Sequence, residues 1–188
     1  MFKKIVNPFR YLPLRQAWCW GIVALILASV FAWQFGLQAT SITQINYLNE
    51  RLWVATARQI GLWVVFTAIL YVLALIFSRS KVRLADVAAF NLFARIPCHL
   101  SLIICALPSV RELMMAALSE NGMDILMQNI NLLNVVGLVI GLFAVWYIFW
   151  TYKAFAVSTN IKNGKGVGIF ALGYILAYVA SGYAMMAF

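Results

Sequence analysis

Five apolar runs dominate the hydrophobic pattern, over residues 17–36, 60–77, 88–107, 132–151 and 167–188. Each is close to the ~20 residues that cross a ~30 Å hydrocarbon core at 1.5 Å per residue. None shows the two-residue alternation of a membrane barrel. Without water to satisfy backbone groups, a spanning segment of this kind folds as a helix. The pattern predicts an all-α polytopic membrane protein: one membrane domain over residues 1–188, a bundle of five transmembrane helices with short loops.

Composition sharpens the class. Hydrophobic residues are 65% and charged residues 10% of the 188, against usual values of about 45–50% and 25%. Mean hydropathy is +0.92. These values exclude a soluble enzyme, a disordered chain and a secreted disulfide scaffold. The odd set of Cys19, Cys98 and Cys105 lies inside apolar runs, as small hydrophobes do; the spacing fits no zinc site. The first run follows a basic start, as in a signal peptide, but is longer than a signal core of ~7–15 residues. Trp18, Trp20 and Trp33 sit near its two ends like interfacial anchors. An uncleaved anchor is expected.

Cations divide unequally between the connections. Lys3, Lys4, Arg10, Arg15, Arg79, Lys81, Arg83, Lys153, Lys162 and Lys165 fall on the N-terminal side; Arg51, Arg58 and Arg111 fall on the other, beside Glu50, Glu112, Glu120 and Asp124. The positive-inside rule then puts the N-terminus in the cytoplasm and, after five spans, the C-terminus outside. The net charge of +9 belongs mainly to one membrane face. It points to anionic lipid headgroups as partners, not to nucleic acid.

The connections are too short for a folded soluble domain. Residues 1–16 mix cations with Phe2, Ile5, Val6, Phe9, Tyr11, Leu12 and Leu14, broken by Pro8 and Pro13, and are expected to lie in the headgroup layer or to bind a partner. Ser109-Val110-Arg111-Glu112 has the form of a capping box opening a short surface helix that ends near Asn121-Gly122. Residues 160–166 read as a turn, without the flanking residues of a phosphate-binding loop.

Small residues recur at four-residue steps in three spans: Ala24, Ala28, Ala32 and Gly36; Gly137 and Gly141; Gly173, Ala177 and Ser181. Helices in lipid approach closely through such stripes. Packing within the chain is expected for most, with a homodimer or partner seam as the alternative.

The third span carries the unusual chemistry. Asn91, Arg95 and His99 are spaced i, i+4, i+8 and share one helix face. Measured from Ala88, Arg95 lies roughly 10 Å deep and His99 roughly 16 Å. A central arginine costs ~2.5–3.5 kcal/mol on insertion scales. Arg95 is therefore expected either to snorkel to the headgroups or to turn inward, toward Asn91 and a phenol such as Tyr147 or Tyr152. Pro97 predicts a kink that leaves the Phe93 carbonyl without its helical donor. Asp86 reads as an N-cap. The face is either structural or the lining of a small polar cavity open to the cytoplasm. With no embedded carboxylate and no catalytic constellation, neither an enzyme nor a metal or other cofactor is expected.

The sequence resembles the YIP (Ypt/Rab-interacting protein) family of five-span membrane proteins, in its short bacterial form. The likeness is carried by Met1-Phe2-Lys3-Lys4 with Asn7-Pro8-Phe9-Arg10-Tyr11, by Phe77-Ser78-Arg79-Ser80-Lys81-Val82-Arg83 leading to Asp86-Val87, by Ala94-Arg95-Ile96-Pro97, by Tyr152-Lys153-Ala154-Phe155 with Val157-Ser158, and by Gly164-Lys165-Gly166. The resemblance implies five helices, a cytoplasmic N-terminus and, by analogy with members active in vesicle traffic, a role through membrane and protein contacts. Those members carry a long cytoplasmic N-terminal region; only 16 residues precede the first run here, so binding of small GTPases is not expected. A non-enzymatic membrane scaffold or adaptor in a bacterial inner membrane is the expected function. A small-solute or ion transporter or channel using the third-span face is the alternative.

Overall fold

The apolar runs fold as helices, and the helices outreach the runs. The computed structural model describes residues 6–117, 119, 121–161 and 163–186. After a helical turn at Pro8–Arg10 come α1 (Leu14–Phe35), β1 (Leu37–Ala39), β2 (Ile45–Tyr47) and α2 (Leu52–Phe77). The third span is α3 (Leu84–Ala94) followed directly by α4 (Ile96–Cys105); then come α5 (Pro108–Ala116), α6 (Gly122–Gln128), α7 (Ile130–Thr159) and α8 (Asn163–Met186). Five helical stretches are long and apolar enough to cross a membrane, the third being the continuous α3–α4. Together they make an all-α bundle of an integral membrane protein.

The α3–α4 span is the most buried of the five and the centre of the bundle. It packs against α1, α2 and α7, while α8 leans on α2 and barely meets α7. Phe66, Leu70, Tyr147, Phe155 and Ala177 belong to the largest apolar cluster. Gly21 brings α1 onto α3: a Cβ there would stand 2.8 Å from Leu92 Cγ. Gly173 does the same for α8, where a Cβ would meet Leu73 Cδ1 at 2.8 Å and Leu70 Cδ2 at 2.9 Å.

A short antiparallel hairpin joins α1 to α2, with Leu37 opposite Tyr47 and Ala39 opposite Ile45. Gly36 ends α1 in the left-handed region (φ +63°), where glycine carries no steric penalty. Ser41 Oγ accepts the N–H groups of Thr43 and Gln44 and shapes the tip. Leu37, Gln38, Ala39, Ser41 and Ile42 are buried. Gln38 donates to Glu50 at 2.8 Å, Glu50 pairs with Arg58 at 3.1 Å, and the Tyr47 hydroxyl donates to the Cys105 carbonyl at 2.8 Å. These bonds pin the hairpin to α2 and α4.

Several boundaries and roles differ from the sequence reading. The second span starts at Leu52, because Arg58 is neutralised by Glu50 and Gln59 is buried, so neither stops the helix. The fourth runs on to Thr159, with Lys153 laid over the Phe149 and Tyr152 rings at 5.1 and 5.6 Å. The turn expected over residues 160–166 is confined to the start of that stretch, where Asn160 adopts φ 56°; α8 begins at Asn163. Proline at the first position of α5 makes Leu107 its N-cap and puts Ser109 inside the helix, so no side chain caps it. Asp86 likewise lies in the first turn of α3 with Arg83 as N-cap; there it favours the helix dipole. Phe9 does not dip into lipid. It packs edge-on against Phe90, Phe93 and Trp150 at 5.7 to 6.0 Å.

Candidate functional site

The site is built where the third span breaks. Pro97 has no N–H to give, and the chain tightens two residues earlier, with the Arg95 N–H bonded to the Leu92 carbonyl at 3.2 Å. Arg95 ends α3 and His99 lies in the first turns of α4. Eleven residues into the span, Arg95 sits roughly 16 Å from its start, near the middle of a ~30 Å core.

Arg95 turns inward. It is 1% exposed, and its Nη2 donates to Gln59 Oε1 of α2 at 3.2 Å. Gln59 is a partner that the sequence reading did not name. Asn91, also buried, donates to Thr67 Oγ1 at 3.0 Å. Neither bond joins Asn91 to Arg95. The shared face instead makes two separate ties to α2, one turn apart.

Other polar atoms here make no such bond: Arg95 Nε and Nη1, both ring nitrogens of His99, Tyr147 Oη and Asn91 Oδ1 are buried without a hydrogen-bond partner. Tyr147, at 0% exposure, lies within electrostatic reach of Arg95, as do Cys98 and Tyr174. An arginine does not lose its charge in proteins, and no Asp or Glu lies in the third span beyond Asp86 near its start.

A cavity of about 10 Å³ adjoins this cluster. Its walls are Arg95, Cys98, His99 and Leu102 from the third span, Gln59 from α2, and Ser41, Ile42 and Gln44 from the hairpin tip, with Ala39 and Ile45 behind. The tip thus reaches the polar middle of the bundle from the end of α1, and Cys98 Sγ lies 4.0 Å from the Ile42 carbonyl. Gln44 at the hairpin tip is exposed, and the walls other than the third span and Gln59 all come from the hairpin. His99 also borders a lipid-side cleft of about 270 Å³ between α1 and α4.

The small-residue stripes divide. On α8, Gly173, Ala177 and Ser181 are buried. On α1, Ala28 and Ala32 are buried, Ala24 is half-buried beside the lipid-side cleft, and Gly36 is the helix cap. On α7 a Cβ added at Gly137 or Gly141 would meet nothing within 4 Å, so that stripe packs on nothing among the described residues. An apolar cleft of about 480 Å³ separates α7 from α8, between Ile148, Phe149 and Tyr152 on one side and Phe170, Tyr174 and Ile175 on the other.

Arg10, Arg15, Arg79, Lys81, Arg83 and Lys165 are exposed, and Lys153 is half-buried. They share one end of the bundle, where Ser78 donates to the Thr159 carbonyl at 2.7 Å. Lys3, Lys4 and Lys162 lie outside the described residues. Among the described residues no three His, Cys, Asp or Glu side chains group to hold a metal. Comparison with family models, curated proteins and solved structures found no match to the chain.

Proposed function

We propose that the chain is a non-enzymatic membrane scaffold or adaptor of YIP type, in a bacterial inner membrane with its N-terminus cytoplasmic and its C-terminus outside. It works through helix packing and through contacts with lipids or a membrane-protein partner. The observation that supports this is the open face of α7. Gly137 and Gly141 are uncovered among exposed Val135, Leu138, Leu142 and Val145, and a stripe of that kind lets another helix approach within backbone distance. The row of arginines and lysines at one end supports both the orientation and a contact with anionic headgroups.

The test is crosslinking from Gly137→Cys in membranes, with copurification in mild detergent. Recovery of a dimer or a defined partner, lost in Gly141→Leu, is the expected result. A monomer with lipid alone and no crosslink would count decisively against a scaffold. Solute or ion movement is the second reading, favoured by the unpartnered donors around Arg95. It predicts that a water-soluble maleimide reaches Cys98 in sealed vesicles and spares Cys105. Protection of both thiols would speak for a packed bundle.

A further inference from the structure

We infer that the cavity beside Arg95 is a binding site for one small monatomic anion, a halide. The inference is independent of the scaffold reading and does not require transport.

The first argument is charge. Arg95 is permanently cationic, is 1% exposed, and has two N–H-bearing nitrogens with no acceptor. The acceptor it does reach is the neutral Gln59 amide. Glu50 is already engaged by Arg58 and Gln38. A charge held in low dielectric without a counter-charge is costly, and this span supplies none.

The second is the kind of groups in the wall. Ser41 Oγ accepts two backbone N–H groups and keeps its own O–H proton to donate. An imidazole keeps at least one N–H in either charge state, and neither His99 nitrogen has a partner. Arg95, His99 and Ser41 all line the same cavity. Three donor-bearing side chains thus border one cavity, and no acceptor in the described residues takes the Arg95 Nε or Nη1 hydrogens or an imidazole N–H.

The third is size. About 10 Å³ is room for one water-sized species. A phosphate or a carboxylate-bearing metabolite does not fit, whereas chloride or bromide needs only a small adjustment of the walls. A water molecule would satisfy some donors and leave the charge.

The protein purified in detergent should be melted in sodium gluconate while chloride or bromide replaces gluconate at fixed ionic strength. The expected result is a saturable rise in Tm with either halide and none with sulfate. Ser41→Ala, which removes roughly one net hydrogen bond, should raise the half-saturating concentration about fivefold. Gln59→Glu supplies a resident carboxylate to the guanidinium and should abolish the halide response while leaving a folded protein. That variant decides the question without removing Arg95, whose loss in Arg95→Gln could unfold the protein. Equal melting in gluconate and halide up to ~0.15 M would overturn the assignment and leave water as the occupant. A rise that persists unchanged in both Ser41→Ala and Gln59→Glu would overturn it too, by locating the halide elsewhere.

Discussion

At the scale of single residues, the bond from Arg95 to Gln59 decides whether the guanidinium stays inward. Replacing Gln59 by Leu removes the acceptor and keeps the volume, and should lower stability by about 1.5–3 kcal/mol, read as a drop in Tm in detergent. The sequence shows Arg95 and its depth, but not Gln59, because the choice between snorkelling and burial depends on a helix 36 residues away. Tyr47 offers a pH-dependent check at the hairpin. Burial, with a smaller push from Cys105, raises its phenol to about 12, so the native state holds the proton more tightly than the unfolded chain. Its contribution is full below pH 10 and lost as pH rises through about 12. Tyr47→Phe should cost about 0.5–1.5 kcal/mol at neutral pH and remove this part of the alkaline loss in a series of melts.

Among the helices, close approach is set by particular glycines. Gly21→Ala would push a methyl into Leu92 and should cost about 1–3 kcal/mol. Gly137→Ala meets nothing and should leave melting unchanged or raise stability by up to about 1 kcal/mol through helix propensity. Comparing the two Tm values separates a packed glycine from an open one. Spans were legible because some twenty apolar residues in a row have one fate in lipid. Stripes were less so. The row Ala24, Ala28, Ala32, Gly36 keeps a strict four-residue step, which drifts about 40° per step around a helix of 3.6 residues per turn. The buried face of α1 instead follows Ala17, Gly21, Leu25, Ala28 and Ala32, mixing steps of four and three. The hairpin left no readable trace, since strands of three residues are too short for an alternation to emerge.

For the molecule as a whole, lipid exposure should rank the three thiols. Cys19 is exposed, Cys98 half-buried and Cys105 buried, so a membrane-permeant maleimide should modify them in that order, as mass spectrometry of a time course would show. Early modification of Cys105 would contradict the packing of α4 against α1 and the hairpin. A helix of 30 residues such as α7 is about 45 Å long, so it must tilt or stand out of a ~30 Å core. The hairpin between the first two spans has a consequence for biosynthesis. Leu37 to Tyr47, Gln59 and Thr67 all leave the ribosome before Arg95. The residues that receive the guanidinium are therefore synthesised ahead of it, and the costliest side chain of the chain follows its partners out of the ribosome.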